Sequence, residues 1–156
     1  MAEQETIKDV IEGAVQREIN AQKVYSDLSG RVENDSSKDV LLGLVKQEKG
    51  HQEILERYLR GELKGGMLGR ENVPDYKIAE HFDQTEITPE MDLKDIFLLA
   101  ANREKTSVEF YTQLSDVHPE GEIKSLLKRM ASEEQGHKEK MERLYTEVAF
   151  PQTDGG

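Results

Sequence analysis

The sequence predicts an all-α fold, a four-helix bundle made of two duplicated helical hairpins joined by a long crossover. Three observations predict it. First, sliding the chain by 86 residues aligns 14–29 with 100–115 and 47–57 with 133–143 without a gap, and over 13–58 it gives 14 identities in 46 positions. A period this long that occurs only twice reads as a duplicated hairpin rather than a solenoid. Second, four segments carry apolar residues at alternating steps of three and four. Third, a glycine-rich link, too long for a tight turn, separates the two halves.

The four segments can be justified in order. The first has Ile7, Ile11, Ala14, Glu18, Ala21, Tyr25 and Leu28 in its seam; the second has Leu41, Leu44, Glu48, His51, Leu55 and Tyr58. The third has Leu93, Phe97, Ala100, Glu104, Ser107, Tyr111 and Leu114; the fourth has Ile123, Leu127, Met130, Glu134, His137, Met141 and Leu144. Such seams close a bundle at small crossing angles. Each is interrupted near its middle by a Glu, or by a Glu and a His, where a core residue belongs.

Turns fit this layout. Asn34, Asp35, Ser36 and Ser37 form a turn with good N-cap residues, and His118, Pro119, Glu120 and Gly121 are its counterpart. Thr88, Pro89 and Glu90 read as an N-cap, a proline at the first helical position and an acidic first turn. The crossover spans 61–88, with room for a short helix around 76–82, and should make the second and third helices parallel. Residues 1–150 are expected to be one domain (repeats at about 7–60 and 89–147), with 151–156 a flexible tail.

Composition narrows the partners. The 156 residues carry 32 acidic and 21 basic groups, a formal net charge of −11, with no basic cluster to meet a nucleic-acid backbone. No run approaches a membrane span and the N-terminus lacks a signal peptide's pattern, so a soluble cytoplasmic protein is expected. Zero cysteines exclude thiolate metal sites, disulfides and cysteine nucleophiles. Any metal must be held by carboxylates and imidazoles.

The interrupting residues meet at one depth. Glu18 and Glu48 are 30 residues apart around the first turn, as are Glu104 and Glu134 around the second. Each therefore sits about 15 residues, or roughly 22 Å, from its turn. His51 and His137 follow their Glu by three, on the same helix face. With 22 Glu in 156 residues, a Glu three before a His arises by chance for about one His in seven, so a lone pair is usually a solvated face. Two such pairs, each registered to an upstream Glu on an apolar seam, are far harder to get by chance. Burying an unpaired carboxylate costs several kcal/mol, and no Lys or Arg shares these seam positions. Two divalent cations would balance four carboxylates, and oxygen-rich ligation with some imidazole suits Fe or Mn, with Zn able to bind adventitiously. Arg17 and Arg103 stand one step from a seam Glu and are expected to face outward.

One Glu from each of two helices, with Glu-x-x-His from the other two, resembles the ferritin-like di-iron and di-manganese carboxylate proteins. The chain looks most like the rubrerythrin-type or erythrin domains, with a ligand set similar to that of bacterioferritin. The resemblance implies that Glu48 and Glu134 bridge two metal ions, most readily iron. Glu18 with His51, and Glu104 with His137, would be the terminal ligands. It also implies oxidation of ferrous iron by O2 or hydrogen peroxide. Rubrerythrins carry a further Glu where this chain has Ser107, and usually a rubredoxin domain, which a chain without cysteine cannot form. Electrons would then come from a separate electron-donor protein. Bacterioferritin's haem Met is replaced by Gln52, so no haem is expected. A homodimer or higher homo-oligomer is expected. Iron storage in a hollow shell is the rival, although no obvious fifth helix follows Leu144; a metal-free interaction bundle is a third reading.

Several further residues stand out. Tyr25 and Tyr111 lie seven residues past Glu18 and Glu104, placed either to hydrogen-bond a ligand carboxylate and act in electron transfer, or to serve as core aromatics. Gly50 and Gly136 precede the two histidines and could permit close helix approach. His81 and His118 fall in connections and read as surface histidines, while Glu53, Glu56, Glu139 and Glu142 fall off the seam.

Overall fold

The computed structural model describes residues 6–68, 88 and 90–150. Among these are four helices: α1 (Ile7–Arg31), α2 (Asp35–Leu59), α3 (Leu93–Asp116) and α4 (Glu122–Ala149). Most of the crossover, the short helix suggested at 76–82, Pro89, His81 and the tail at 151–156 lie outside the described residues.

Side chains cap the first two helices. Thr6 accepts from the Asp9 N–H and Asp9 from the Thr6 N–H, both at 3.1 Å, closing a capping box on α1. Asn34 accepts from the N–H groups of Ser36 and Ser37 at 2.8 and 3.2 Å, starting α2. Caps of this kind stabilise a helix by about 1 kcal/mol. The third helix starts later than the sequence suggests. Asp92, not Thr88, is its N-cap, and Thr88 instead accepts from the Met91 N–H at 3.2 Å in a turn before the helix. Met91 and Leu93 pack partly buried against the core, and the first fully buried residues of α3 are Ile96 and Phe97.

α1 packs along α2, and α3 along α4. Pairs across the hairpins set the remaining directions. Tyr111 meets Glu18 and Tyr25 meets Glu104, so α1 and α3 are antiparallel. His51 meets Glu133 and His137 meets Gln47, so α2 and α4 are antiparallel as well. It follows that α2 and α3 run parallel, with the end of α2 and the start of α3 at opposite ends of the bundle. At about 1.5 Å per residue, α2 alone spans roughly 37 Å.

The apolar seams form two separate clusters. One gathers Ile7, Ile11, Leu55, Phe110, Ile123 and Leu127 at one end; the other gathers Leu28, Leu41, Leu44, Ile96, Phe97 and Met141 at the opposite end. Fully burying a side chain of this size stabilises the fold by roughly 1.5–3 kcal/mol, so each cluster anchors its own end. Between them lies a layer of buried polar residues. The described start of the crossover belongs to the first cluster: Leu63 and Met67 are buried there, and the Ile123 N–H donates to the Lys64 carbonyl at 3.4 Å. Among the described residues no helix is long and apolar enough to cross a membrane.

Candidate metal centre

Every seam contributes to the polar layer. Glu18 comes from α1, Glu48 and His51 from α2, Glu104 from α3, and Glu134 and His137 from α4; none is more than 3 % exposed. They form two overlapping groups, Glu18, Glu48, His51 and Glu134, and Glu48, Glu104, Glu134 and His137. Within each, one donor atom per residue lies within 4.8 Å of the others, and Glu48 and Glu134 belong to both. The two imidazoles stack with centroids 6.1 Å apart and planes 23° from parallel.

Hydrogen bonds hold the outer side of four of these residues and leave the inner side bare. The Tyr111 hydroxyl donates to Glu18 Oε1 at 2.5 Å, and the Tyr25 hydroxyl donates to Glu104 Oε1. His51 Nε2 bonds Glu133 at 2.6 Å, and His137 Nε2 bonds Gln47 at 2.5 Å. Facing inward, Glu18 Oε2, Glu48 Oε1, His51 Nδ1, Glu104 Oε2, Glu134 Oε1 and His137 Nδ1 are all buried without a hydrogen-bond partner. The His51 and His137 Nδ1 atoms approach Glu134 and Glu48 to 2.9 and 2.7 Å, but not in hydrogen-bonding alignment. Leaving a buried polar atom unpaired costs about 1–3 kcal/mol, more if it is charged. Six at one point form a donor set that fits two divalent cations.

The ionisation of the layer follows the same physics. Burial pushes the Glu18 carboxyl up, with the Glu134 charge adding to it, and drives Glu48 and Glu104 well above the ordinary carboxylate range. Burial pushes Glu134 the same way, but Glu104, His137, His51 and Glu48 around it outweigh burial and hold it well below that range. His51 is lowered by burial, yet Glu134, Glu18 and Glu133 raise it to about 9. Without metal, the layer therefore shifts Glu18, Glu48 and Glu104 toward the protonated form and Glu134 toward the ionised one. Burial also drives the Tyr25 and Tyr111 hydroxyls well above their ordinary value, which keeps both as donors.

The rubrerythrin family profile matches residues 9–145. The chain belongs to the rubrerythrin family. A Thermotoga maritima structure described as a candidate ferritin-like diiron-carboxylate protein superposes with a TM-score of 0.71 at 22% identity, covering 95% of this chain and 99% of that one. A hypothetical protein from Pyrococcus furiosus superposes with a TM-score of 0.73 at 21% identity, covering 95% of this chain and 93% of that one. No curated protein matches. As a rubrerythrin-family, ferritin-like bundle, the chain carries a candidate carboxylate and histidine metal site at its midpoint.

Three sequence expectations need correction. Arg17 does not face outward: it donates to Ser107 on α3 at 2.8 Å and lies 5.8 Å from the Phe110 ring centre. Its long side chain bends across to the neighbouring helix, which a position on a helical wheel does not capture. His118 is no surface histidine. It is 2 % exposed, bonded to the Leu114 carbonyl at 2.7 Å and to the Tyr58 hydroxyl at 2.6 Å. Gly50 and Gly136 are not close-approach sites, since a Cβ at either would meet nothing within 4 Å. Sequence reasoning also missed Gln47 and Glu133 as the partners of the two imidazoles. The available signal was their place one residue before Glu48 and Glu134 in the aligned repeat.

Proposed function

We propose that this chain is a di-iron carboxylate oxidoreductase, oxidising ferrous iron with O2 or hydrogen peroxide in a rubrerythrin-like detoxification. The observation that carries the reading is the inward set of six unpartnered donor atoms on four helices. Glu18 and His51 would hold one ion and Glu104 and His137 the other, with Glu48 and Glu134 shared by both. The chemistry such a pair supplies when bound is two electrons, one per ferrous ion, which with two protons take hydrogen peroxide to two waters.

The protein's own residues prepare the site. The Tyr111 and Tyr25 hydroxyls fix one oxygen of Glu18 and of Glu104, leaving the other aimed inward. The Nε2 bonds to Glu133 and Gln47 place the ring proton on the outer nitrogen and free Nδ1 of each imidazole. The two apolar clusters close the layer from both ends and keep bulk water from competing for the donors. Leu42, Leu98 and Phe150 are large exposed apolar side chains, which supports assembly as a homodimer or higher homo-oligomer. Electrons supplied by a separate electron-donor protein, in a cytoplasmic setting, complete the proposal.

The test is stopped-flow oxidation of anaerobically iron-loaded protein. Hydrogen peroxide or O2 should oxidise the bound iron much faster than iron free in the same buffer. Equal rates for bound and free iron would defeat the reading.

A further inference from the structure

The internal repeat breaks at one pair of positions that touches the centre. Residues 47 and 133 correspond in the two halves, each just before a shared Glu, yet one is Gln and the other Glu. They act across the bundle. Glu133 on α4 holds His51 Nε2 on α2 at 2.6 Å, and Gln47 on α2 holds His137 Nε2 on α4 at 2.5 Å. The remaining parts match: Glu18 pairs with Tyr111 as Glu104 does with Tyr25, and Glu48 and Glu134 serve both sides.

In both imidazoles Nδ1 faces the cluster, so a metal-binding ring carries its proton on Nε2 and donates it outward. A carboxylate draws that proton more strongly than an amide oxygen does. The ring bonded to Glu133 therefore presents the more electron-rich Nδ1, the arrangement in which an outer carboxylate raises the basicity of a ligating histidine. Glu133 also adds a negative charge to one side only. Its exposed neighbour Arg129, at 3.4 Å, offsets this only weakly because solvent screens the pair. Arg17, beside Glu18, acts in the opposite sense, and its guanidinium donates to Ser107 on α3 at 2.8 Å.

We propose that the two halves of the centre bind divalent metal unequally: the Glu18–His51 half, backed by Glu133, fills first and more tightly than the Glu104–His137 half, backed by Gln47. Gln47 and Glu133 are positioning residues that set the order of loading. The proposal rests on the reading of the layer as a dinuclear metal site.

Anaerobic calorimetric titration of the metal-free chain with ferrous iron tests it. The wild-type isotherm should show two steps. Outer partners of ligating histidines typically change affinity by 10–100-fold. Glu133→Gln should therefore weaken the first step by about tenfold or more and leave the second unchanged, narrowing the gap. Gln47→Glu should tighten the second step by a similar factor and leave the first unchanged. Mutual repulsion of two bound cations would separate the steps even for equal halves, so the change on substitution decides. A wider gap in Glu133→Gln, or steps unmoved by both substitutions, would overturn the proposal while leaving the dinuclear site standing. No ferrous binding by the wild-type chain would overturn both. Gln47 is exposed, so Gln47→Glu should fold and decides the matter alone if Glu133→Gln does not.

Discussion

Two buried histidine environments in this bundle look alike by burial and differ in every other respect. At one end His118 uses both ring nitrogens: Nδ1–H donates to the Leu114 carbonyl at 2.7 Å, and Nε2 accepts from the Tyr58 hydroxyl at 2.6 Å. Tyr58 in turn accepts from the Met67 N–H at 2.9 Å, so the chain of bonds is closed. Burial lowers the His118 pKa, and the ring stays neutral. In the middle layer His51 and His137 each satisfy Nε2 and leave Nδ1 bare among carboxylates. A satisfied polar cluster ties elements together, here the start of the crossover to the α3–α4 hairpin. An unsatisfied one is a demand for something the protein does not itself supply.

The largest separation between these regions is expected from metal and pH together. Metal that binds only the folded state adds about 2.7 kcal/mol per site at a hundredfold excess over Kd. That should raise the melting temperature by roughly 5–10 °C per site in a chain of this size. Without metal the sign with pH is the reverse of the usual carboxylate case. Glu48 and Glu104 have folded pKa values well above 4.5, so their contribution is full below about 4.5 and fades as pH rises through the folded values. His51 behaves likewise, contributing fully below about 6.5 and losing that contribution through about 9. Glu134, held low, opposes them only in acid. Metal-free protein should thus melt lower at about pH 9 than at about pH 5, and the metal-induced rise should widen over that range. Scanning calorimetry with and without chelator checks both; a metal-free chain that gains stability toward pH 9 would break the contrast.

A smaller effect is expected at the satisfied cluster. Tyr58→Phe leaves the Met67 N–H and His118 Nε2 unpaired, which should cost about 1–3 kcal/mol. Chemical denaturation should show that loss, while iron content stays at the wild-type value. Smaller still, Tyr111→Phe removes the donor that fixes Glu18. It should weaken ferrous binding about tenfold, at the low end for outer partners of a ligand, and cost metal-free stability less than Tyr58→Phe, since it orphans one buried oxygen where Tyr58→Phe orphans two groups. Equilibrium dialysis reads the first quantity and melting the second. If Tyr58→Phe emptied the site, or Tyr111→Phe unfolded the chain, the two regions would not be the separate devices described.

Much of this was legible in the sequence because helical periodicity is local. In α2 and α4 the expected seam residues are all buried. The 86-residue repeat carried the depth of Glu18, Glu48, Glu104 and Glu134 into view, since equal distances from a turn become equal heights. Interactions between distant parts of the chain that lie outside the repeated seams were not legible. His118 is buried by Tyr58, 60 residues away, and Arg17 meets Ser107 at a separation of 90. The start of α3 was misplaced because Thr88, Pro89 and Glu90 make a good cap by composition, whereas the helix is capped at Asp92 and full burial begins at Ile96. Gln47 and Glu133 were inside the aligned repeat, but their roles need the antiparallel pairing of α2 with α4.

The central claim, that the inward donor atoms exist to hold two metal ions, is tested most directly by iron content. Metal-free wild-type chain and a Glu48→Gln, Glu134→Gln variant would be dialysed anaerobically against ferrous iron, and bound iron counted per folded chain. The account predicts about two ions per wild-type chain and almost none in the variant, which loses the two carboxylates common to both groups. Fewer than one ion per wild-type chain, or equal loading of the variant, would contradict it.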